Sequence, residues 1–242
     1  MASRTALIGG GATGIGYATA EALAWTGYRV VITGRRAEPL DAAAARLRDD
    51  TGAEVRSLVQ DMADPDLAGL PPTDVLVLNA GGPPPGRILD VPEEVWRDVT
   101  DLLLLGPLRL ARHALPRMAE RGFGRVVFVT STAVRQPQPD LATSVVLRSA
   151  VTAAAKLLSL EHADRGVTVN CVAPGATDTR RRREILAGRP GDAQRRDLET
   201  IPAGRAGRPE EIGAAGAFLA SAAASYVNGT VLTVDGGRTE TI

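Results

Sequence analysis

The stretch Leu7-Ile8-Gly9-Gly10-Gly11-Ala12-Thr13-Gly14-Ile15-Gly16 decides the fold of this chain. An apolar run leads in, five glycines fall within eight residues, and a helical pattern follows. Glycine lets the backbone turn tightly and lets a ligand approach the main chain closely. A helix that starts after such a turn offers unpaired N–H groups and a positive dipole end to a phosphate. Gly9-x-Gly11-x-x-Gly14 has the spacing of a dinucleotide-binding fingerprint, in the strand–turn–helix context which that spacing requires. The plainer reading of the same glycines is an ordinary strand–helix turn, so the rest of the chain has to decide.

Working outward, apolar runs alternate with helical patterns, the mark of a parallel sheet with crossover helices. Strands are expected at Arg4–Gly9, Tyr28–Thr33, Glu54–Val59, Val75–Asn79, Arg125–Thr130, Val167–Val172 and Val231–Val234. Helices are expected at Ile15–Trp25, Glu38–Asp50, about Pro92 to Arg121 with bends near Pro107 and Pro116, Leu141–Asp164 and Pro209–Ala220. An Arg-rich stretch fills Thr177–Thr200. No repeat or linker divides the chain, so residues 1–242 read as one domain. Ligands of such a sheet bind at the carboxyl ends of its strands.

Composition bounds the function. The 242 residues are 44% hydrophobic, enough for a sizeable core, and the formal net charge of zero argues against nucleic acid as a partner. One cysteine, Cys171, excludes an internal disulfide and suits a reducing cytoplasm. No signal-type segment or apolar run of membrane-spanning length is evident, so a cytoplasmic protein without membrane contact is expected. Lys156 is the sole lysine among 28 basic residues. His113 and His162 stand alone on expected helices, so no metal site is expected.

Strand two ends in Thr33-Gly34-Arg35-Arg36. An acid at this place holds a ribose 2′-hydroxyl, whereas arginine suits a 2′-phosphate. The expected cofactor is therefore NADP(H). The competing reading is two exposed charges in an Arg-rich chain.

At this point the chain resembles the short-chain dehydrogenase/reductase family, 3-oxoacyl-ACP reductase-like members in particular, over nearly its whole length. The glycine turn resembles the family's Thr-Gly-x-x-x-Gly-x-Gly with Gly9 in place of the threonine, and Asn79-Ala80-Gly81 matches the motif after strand four. Asp61 stands where the family places an acid near the adenine, and Asn170-Cys171-Val172-Ala173-Pro174-Gly175 matches the element beside the nicotinamide, followed by Thr177 and Thr179. Gly204-Arg205-x-Gly207-x-Pro209-Glu210-Glu211-Ile212 and Val234-Asp235-Gly236-Gly237 match its C-terminal signature. The resemblance implies a single-domain Rossmann fold, a doubly wound seven-stranded parallel sheet with helices on both faces. It implies cofactor contacts at Gly10, Ala12, Thr13, Gly14, Ile15, Gly16, Arg35, Arg36, Asp61, Asn79, Ala80, Gly81, Arg148, Pro174, Gly175, Thr177 and Thr179. It also implies a homo-oligomer, tetramer or dimer, that interconverts a carbonyl and an alcohol on a small-molecule or acyl-carrier-bound substrate.

The catalytic residues depart from the family. Its chemistry rests on Asn, Ser, Tyr and Lys, with Tyr thirteen residues after Ser and Lys four beyond. Ser131 fills the serine place; thirteen on is Ser144, four beyond that is Arg148, and the Asn place is Leu103. A register using Thr152 and Lys156 would need an eight-residue insertion and a compensating deletion, so the gapless register is preferred. Arginine keeps its proton and is a poor acid, yet its planar fork binds hydroxyls and developing oxyanions. Three readings follow. One is an NADP(H)-dependent oxidoreductase using Ser131, Ser144 and Arg148, another a non-redox dehydratase, cyclase or isomerase, and the last a catalytically silent NADP-binding protein.

The run Arg180-Arg181-Arg182-Arg183 with Arg189, Arg195 and Arg196 lies where the family covers its substrate. It reads either as a site for an acidic substrate or as a solvated helix whose charge Glu184, Asp192, Asp197 and Glu199 offset, the second being preferred. Pro83-Pro84-Pro85 is expected to stiffen a pocket wall, and Cys171 to be buried rather than reactive.

Overall fold

The computed structural model describes residues 3–187 and 191–241. Seven parallel strands form one sheet: β1 Thr5–Ile8, β2 Arg29–Gly34, β3 Val55–Val59, β4 Val75–Leu78, β5 Gly124–Val129, β6 Val167–Pro174 and β7 Val231–Val234. Their order is β3-β2-β1-β4-β5-β6-β7. The helices are α1 Gly14–Trp25, α2 Ala37–Thr51, α3 Glu93–Thr100, α4 Gly106–Glu120, α5 Ala142–His162, α6 Arg180–Ala187, α7 Gly191–Glu199 and α8 Pro209–Ala220.

Side chains on a strand alternate between faces, so a strand covered on both sides is apolar throughout. β1 shows it: Ala6 and Ile8 join one core with Leu23 of α1, Leu47 of α2 and Ile212 and Leu219 of α8. Leu7 joins the opposite core with Leu115 and Met118 of α4 and Val151 and Ala155 of α5. The doubly wound, seven-stranded parallel sheet with helices on both faces is as expected.

Strand order reverses between β1, which leads outward to β2, and β4, which returns on its other side. The carboxyl ends of these two strands flank the crevice where ligands of such sheets bind. The glycine turn follows β1 and Asn79-Ala80-Gly81 follows β4. Asn79 Nδ2 donates to the Gly9 carbonyl at 3.1 Å, joining the two loops.

The structure corrects two expectations. The helix expected over Pro92–Arg121 is not one continuous α-helix: a π-helical turn, Asp101–Leu105, separates α3 from α4, and the Gly106 N–H reaches back five residues to the Asp101 carbonyl. Pro107 has no N–H to give Leu103, and Gly106 packs against the Met62 carbonyl where a Cβ would not fit. The Arg-rich stretch forms α6 and α7. Finally, Ala142–Arg165 is long and apolar enough to cross a membrane by length and composition, which the search for apolar runs passes over. Here α5 packs on β6 and carries the buried Arg148.

Candidate functional site

The crevice is prepared for an anion at its centre. Gly10 and Gly14 have φ of +60° and +59°, a backbone that side chains rarely adopt, and a Cβ on Gly16 would run into the Gly10 carbonyl. Thr13, the residue before α1, makes no side-chain hydrogen bond to the helix, and the first turn holds no acid. The N–H groups and positive end of α1 are thus left for a ligand. A Cβ on Gly9 would lie 2.6 Å from Met62 Cε and 2.7 Å from the Asn79 carbonyl oxygen, so the family's threonine has no room here.

One arm of the crevice is a cavity lined by Gly9, Gly10, Arg35, Asp61, Asn79, Ala80 and Gly81. Arg35 and Arg36 are exposed, and neither makes an ion pair or hydrogen bond among the described residues. Asp61 accepts from the Ala63 N–H at 3.0 Å and so shapes its own loop. Gln60 and Met62, which the sequence reading did not single out, complete this wall: the Gln60 amide donates to the Asp66 carbonyl at 2.6 Å and accepts its N–H at 2.9 Å.

The other arm lies beyond β6. The Gly175 N–H donates to the Val234 carbonyl at 3.0 Å, and Thr177 Oγ1 donates to the Gly175 carbonyl at 3.1 Å. Thr179 Oγ1 accepts the Arg182 N–H at 3.2 Å at the start of α6. Its Cγ2 would lie 3.4 Å from a Cβ on Gly14, so Pro174–Thr179 and the glycine turn come together. The C-terminal signature works structurally. Arg205 donates to both Glu211 oxygens at 2.8 and 2.7 Å, pushing that carboxyl down to about 2, and Glu211 accepts the Arg208 N–H before α8.

At the end of β5, Ser131 Oγ accepts the Ala133 N–H at 3.2 Å and caps a short 3-10 turn, Thr132–Val134, against which α5 packs. One turn apart on α5, the Arg148 Nε–H donates to Ser144 Oγ at 3.2 Å. Arg148 Nη1 donates to the Val129 carbonyl at 2.6 Å, tying α5 to the end of β5 two residues before Ser131. Arg148 is 9% exposed and has no carboxylate partner among the described residues; burial pushes its guanidinium down to about 10. Each serine oxygen accepts one N–H and keeps its own hydroxyl proton to donate.

The remaining expectations separate. Lys156 is exposed two turns further along α5, against Gly229. Leu103 is buried with Val99 and Leu147. Tyr17 lies on α1, Tyr28 at the start of β2 and Tyr226 beyond α8. Burial pushes the Cys171 thiol up to about 12, so it is not a nucleophile. Among the described residues no cluster of His, Cys, Asp or Glu is arranged for a metal ion.

The Arg-rich segment is mostly self-neutralised. Arg180 pairs with Glu184 at 3.3 Å, Arg183 with Asp178 at 3.5 Å, and Arg196 with Asp192. Asp197 accepts from Arg182 at 2.7 Å and Arg238 at 2.9 Å. Burial works against its ionisation, but those two guanidinium groups outweigh it and hold the carboxyl below its usual range. Arg189 lies outside the described residues. Arg181 meets no carboxylate among the described residues: its Nη2 donates to the Pro83 carbonyl at 2.6 Å. The Pro83-Pro84-Pro85 run continues to Gly86, whose N–H donates to the Asp140 carbonyl and whose carbonyl accepts from the Ala142 N–H at the start of α5.

Comparison with known proteins agrees over the whole chain. The family model described as enoyl-(acyl carrier protein) reductase matches residues 10–239. The cis-4-hydroxycyclohexanecarboxylate dehydrogenase of Sinomonas cyclohexanicum is 37% identical, over 99% of this chain and 98% of its own. The structure of YwfH, an NADPH-dependent reductase involved in bacilysin biosynthesis, superposes with a TM-score of 0.94 at 28% identity over 100% of both chains. Actinorhodin polyketide ketoreductase, solved with NADPH, does so with a TM-score of 0.92 at 32% identity over 99% of this chain and 98% of its own.

Proposed function

The chain belongs to the short-chain dehydrogenase/reductase family, and we propose that it is an NADP(H)-dependent oxidoreductase that interconverts a carbonyl and an alcohol with Ser131, Ser144 and Arg148. The observation that carries this reading is the Arg148 guanidinium, anchored to Val129 at the end of β5 and hydrogen-bonded to Ser144 one helical turn away.

The crevice fits the cofactor. The uncapped start of α1 and the positive-φ glycines suit a diphosphate, and Arg35 and Arg36 are unpaired cations suited to a 2′-phosphate. Asp61, Asn79, Ala80 and Gly81 would line the adenosine side, and Pro174, Gly175, Thr177 and Thr179 the nicotinamide side. When bound, NADPH supplies a hydride. Ser131 holds the substrate oxygen through its free hydroxyl proton. Arg148 sets a fixed positive charge beside Ser144, which favours negative charge developing on that oxygen. Ser144 delivers the proton, directly or through one water, and regains one from solvent. The substrate alkoxide is about as strong a base as the serine alkoxide that replaces it, so the transfer is close to balanced, and the Arg148 charge tips it forward.

The substrate class is a small or acyl- or polyketide-like carbonyl compound, free or carrier-bound. The enoyl-(acyl carrier protein) reductase model and the actinorhodin ketoreductase support that breadth. The whole chain acts as one NADP-binding unit. The buried Cys171 suits a reducing cytoplasm. Val146, Leu157 and Leu160 stay exposed along α5 at helical spacing, which supports a homo-oligomer; light scattering would read it. The function is tested by NADPH consumption with a panel of ketones and β-ketoacyl thioesters. Turnover by the wild type that Ser131→Ala abolishes supports it. NADPH binding without turnover across the panel favours the silent NADP-binding reading, which the absence of a tyrosine from this site supports.

A further inference from the structure

Arg181 stands apart from the arginines around it. Arg180, Arg182, Arg183 and Arg196 each meet a carboxylate, whereas Arg181 meets none among the described residues. Its Nε is shut off from solvent and has no hydrogen-bond partner. A buried donor left unpaired on a cation is costly, so the position calls for an acceptor. The location says which kind. α6 begins between the two loops of the crevice: Thr179 faces Gly14 of the glycine turn, and Arg181 Nε would lie 3.2 Å from a Cβ on Gly82, after β4. Nη2 meanwhile crosses to the Pro83 carbonyl. The side chain therefore straps the mouth of the crevice with one nitrogen and leaves another, dry and charged, against Gly82. A single guanidinium N–H still makes a strong, charge-assisted hydrogen bond to a carboxylate or phosphate oxygen.

We propose that Arg181 is an anion-reading strap: Nη2 holds α6 to Pro83, and Nε takes an anionic oxygen of a bound ligand, either a phosphate of the dinucleotide or a carboxylate of the substrate. The inference rests on the reading that the crevice takes NADP(H). It also sets Arg181 apart from Arg180, Arg182, Arg183 and Arg196, each of which is spent on a carboxylate.

The test compares wild type, Arg181→Gln and Arg181→Lys, with Arg180→Gln as a control on the exposed side of α6. NADPH affinity is measured by fluorescence titration, with inorganic pyrophosphate as competitor, and KM is measured for matched ketones with and without a carboxylate. If the anion is the cofactor's, Arg181→Gln weakens NADPH and pyrophosphate about tenfold or more, the loss expected of one hydrogen bond to a charged group. If it is the substrate's, NADPH affinity holds while the KM of the carboxylate ketone alone rises about tenfold. Lysine restores part of either loss, and Arg180→Gln changes neither. Unchanged NADPH, pyrophosphate and carboxylate-ketone values in Arg181→Gln overturn the strap and leave the cofactor reading standing. A wild type that binds no NADPH overturns both.

Discussion

Arg148 and Ser144 form a hydrogen-bonded pair one turn apart on α5, with the Arg148 Nε–H donating to the serine hydroxyl at 3.2 Å. The arginine is buried, and among the described residues its only other side-chain bond runs to the Val129 carbonyl. A desolvated cation without a counter-ion costs stability, and a purely structural α5 would be served better by an apolar side chain. The pair therefore reads as retained for its charge beside Ser144.

That charge sets a pH dependence. Burial lowers the guanidinium well below its ordinary range to about 10, so the folded protein carries an unfavourable charge below that pH, and the penalty fades as pH rises from about 10 toward the ordinary arginine range. Activity follows the opposite course, since the deprotonated group no longer supplies positive charge. The rate should fall as pH rises through about 10, and Arg148→Met should lack that limb while being slow throughout. Arg148→Met should also lose its stability advantage over wild type above pH about 10 in urea unfolding.

Restoring an acid should raise the rate. Ser144→Tyr with Arg148→Lys replaces a weak donor by a phenol beside an ammonium, and positioned acid–base catalysis contributes about 10²–10⁴-fold. The double variant should reduce ketones at least about 10²-fold faster than wild type, measured as kcat with saturating NADPH.

Gly16→Ala should be among the most damaging substitutions in the glycine turn. Its Cβ would collide with the Gly10 carbonyl, backbone that cannot swing aside. Overpacking of this kind costs about 1–3 kcal/mol. Urea denaturation should show that loss, and NADPH titration should show binding weakened beyond it.

Arg35→Asp should invert cofactor preference. Arg35 lines the cavity beside Asp61 and Asn79 and, among the described residues, has no partner to reorganise when it is removed. An acid there repels a 2′-phosphate and accepts a ribose hydroxyl. The ratio of kcat/KM for NADPH over NADH should fall at least tenfold.

The strands were most legible where both faces of the sheet are covered, as at Val75–Leu78, whose residues are all apolar and buried; Val231–Val234 and Pro209–Ala220 match to the residue. The break at Asp101–Leu105 was not. Proline marks where a hydrogen bond is missing, but the helix adjusts one turn earlier, where Gly106 meets Met62 across the fold. At the site, counting placed Ser144 and Arg148 on one helix face, and the hydrogen bond follows from that spacing. Arg181 was hidden within a run of four arginines. Their distinction lies in partners: Asp178 and Asp197 for Arg183 and Arg182, and for Arg181 a carbonyl 98 residues away.

Transfer of the cofactor's hydrogen is the central claim. The enzyme is incubated with NADPH deuterated at both C4 positions and the ketone and β-ketoacyl thioester panel, and alcohol products are read by mass spectrometry. The account predicts alcohol carrying one deuterium on its carbinol carbon with wild type and none with Ser131→Ala. Product lacking deuterium, or no product across the panel despite bound NADPH, would contradict it.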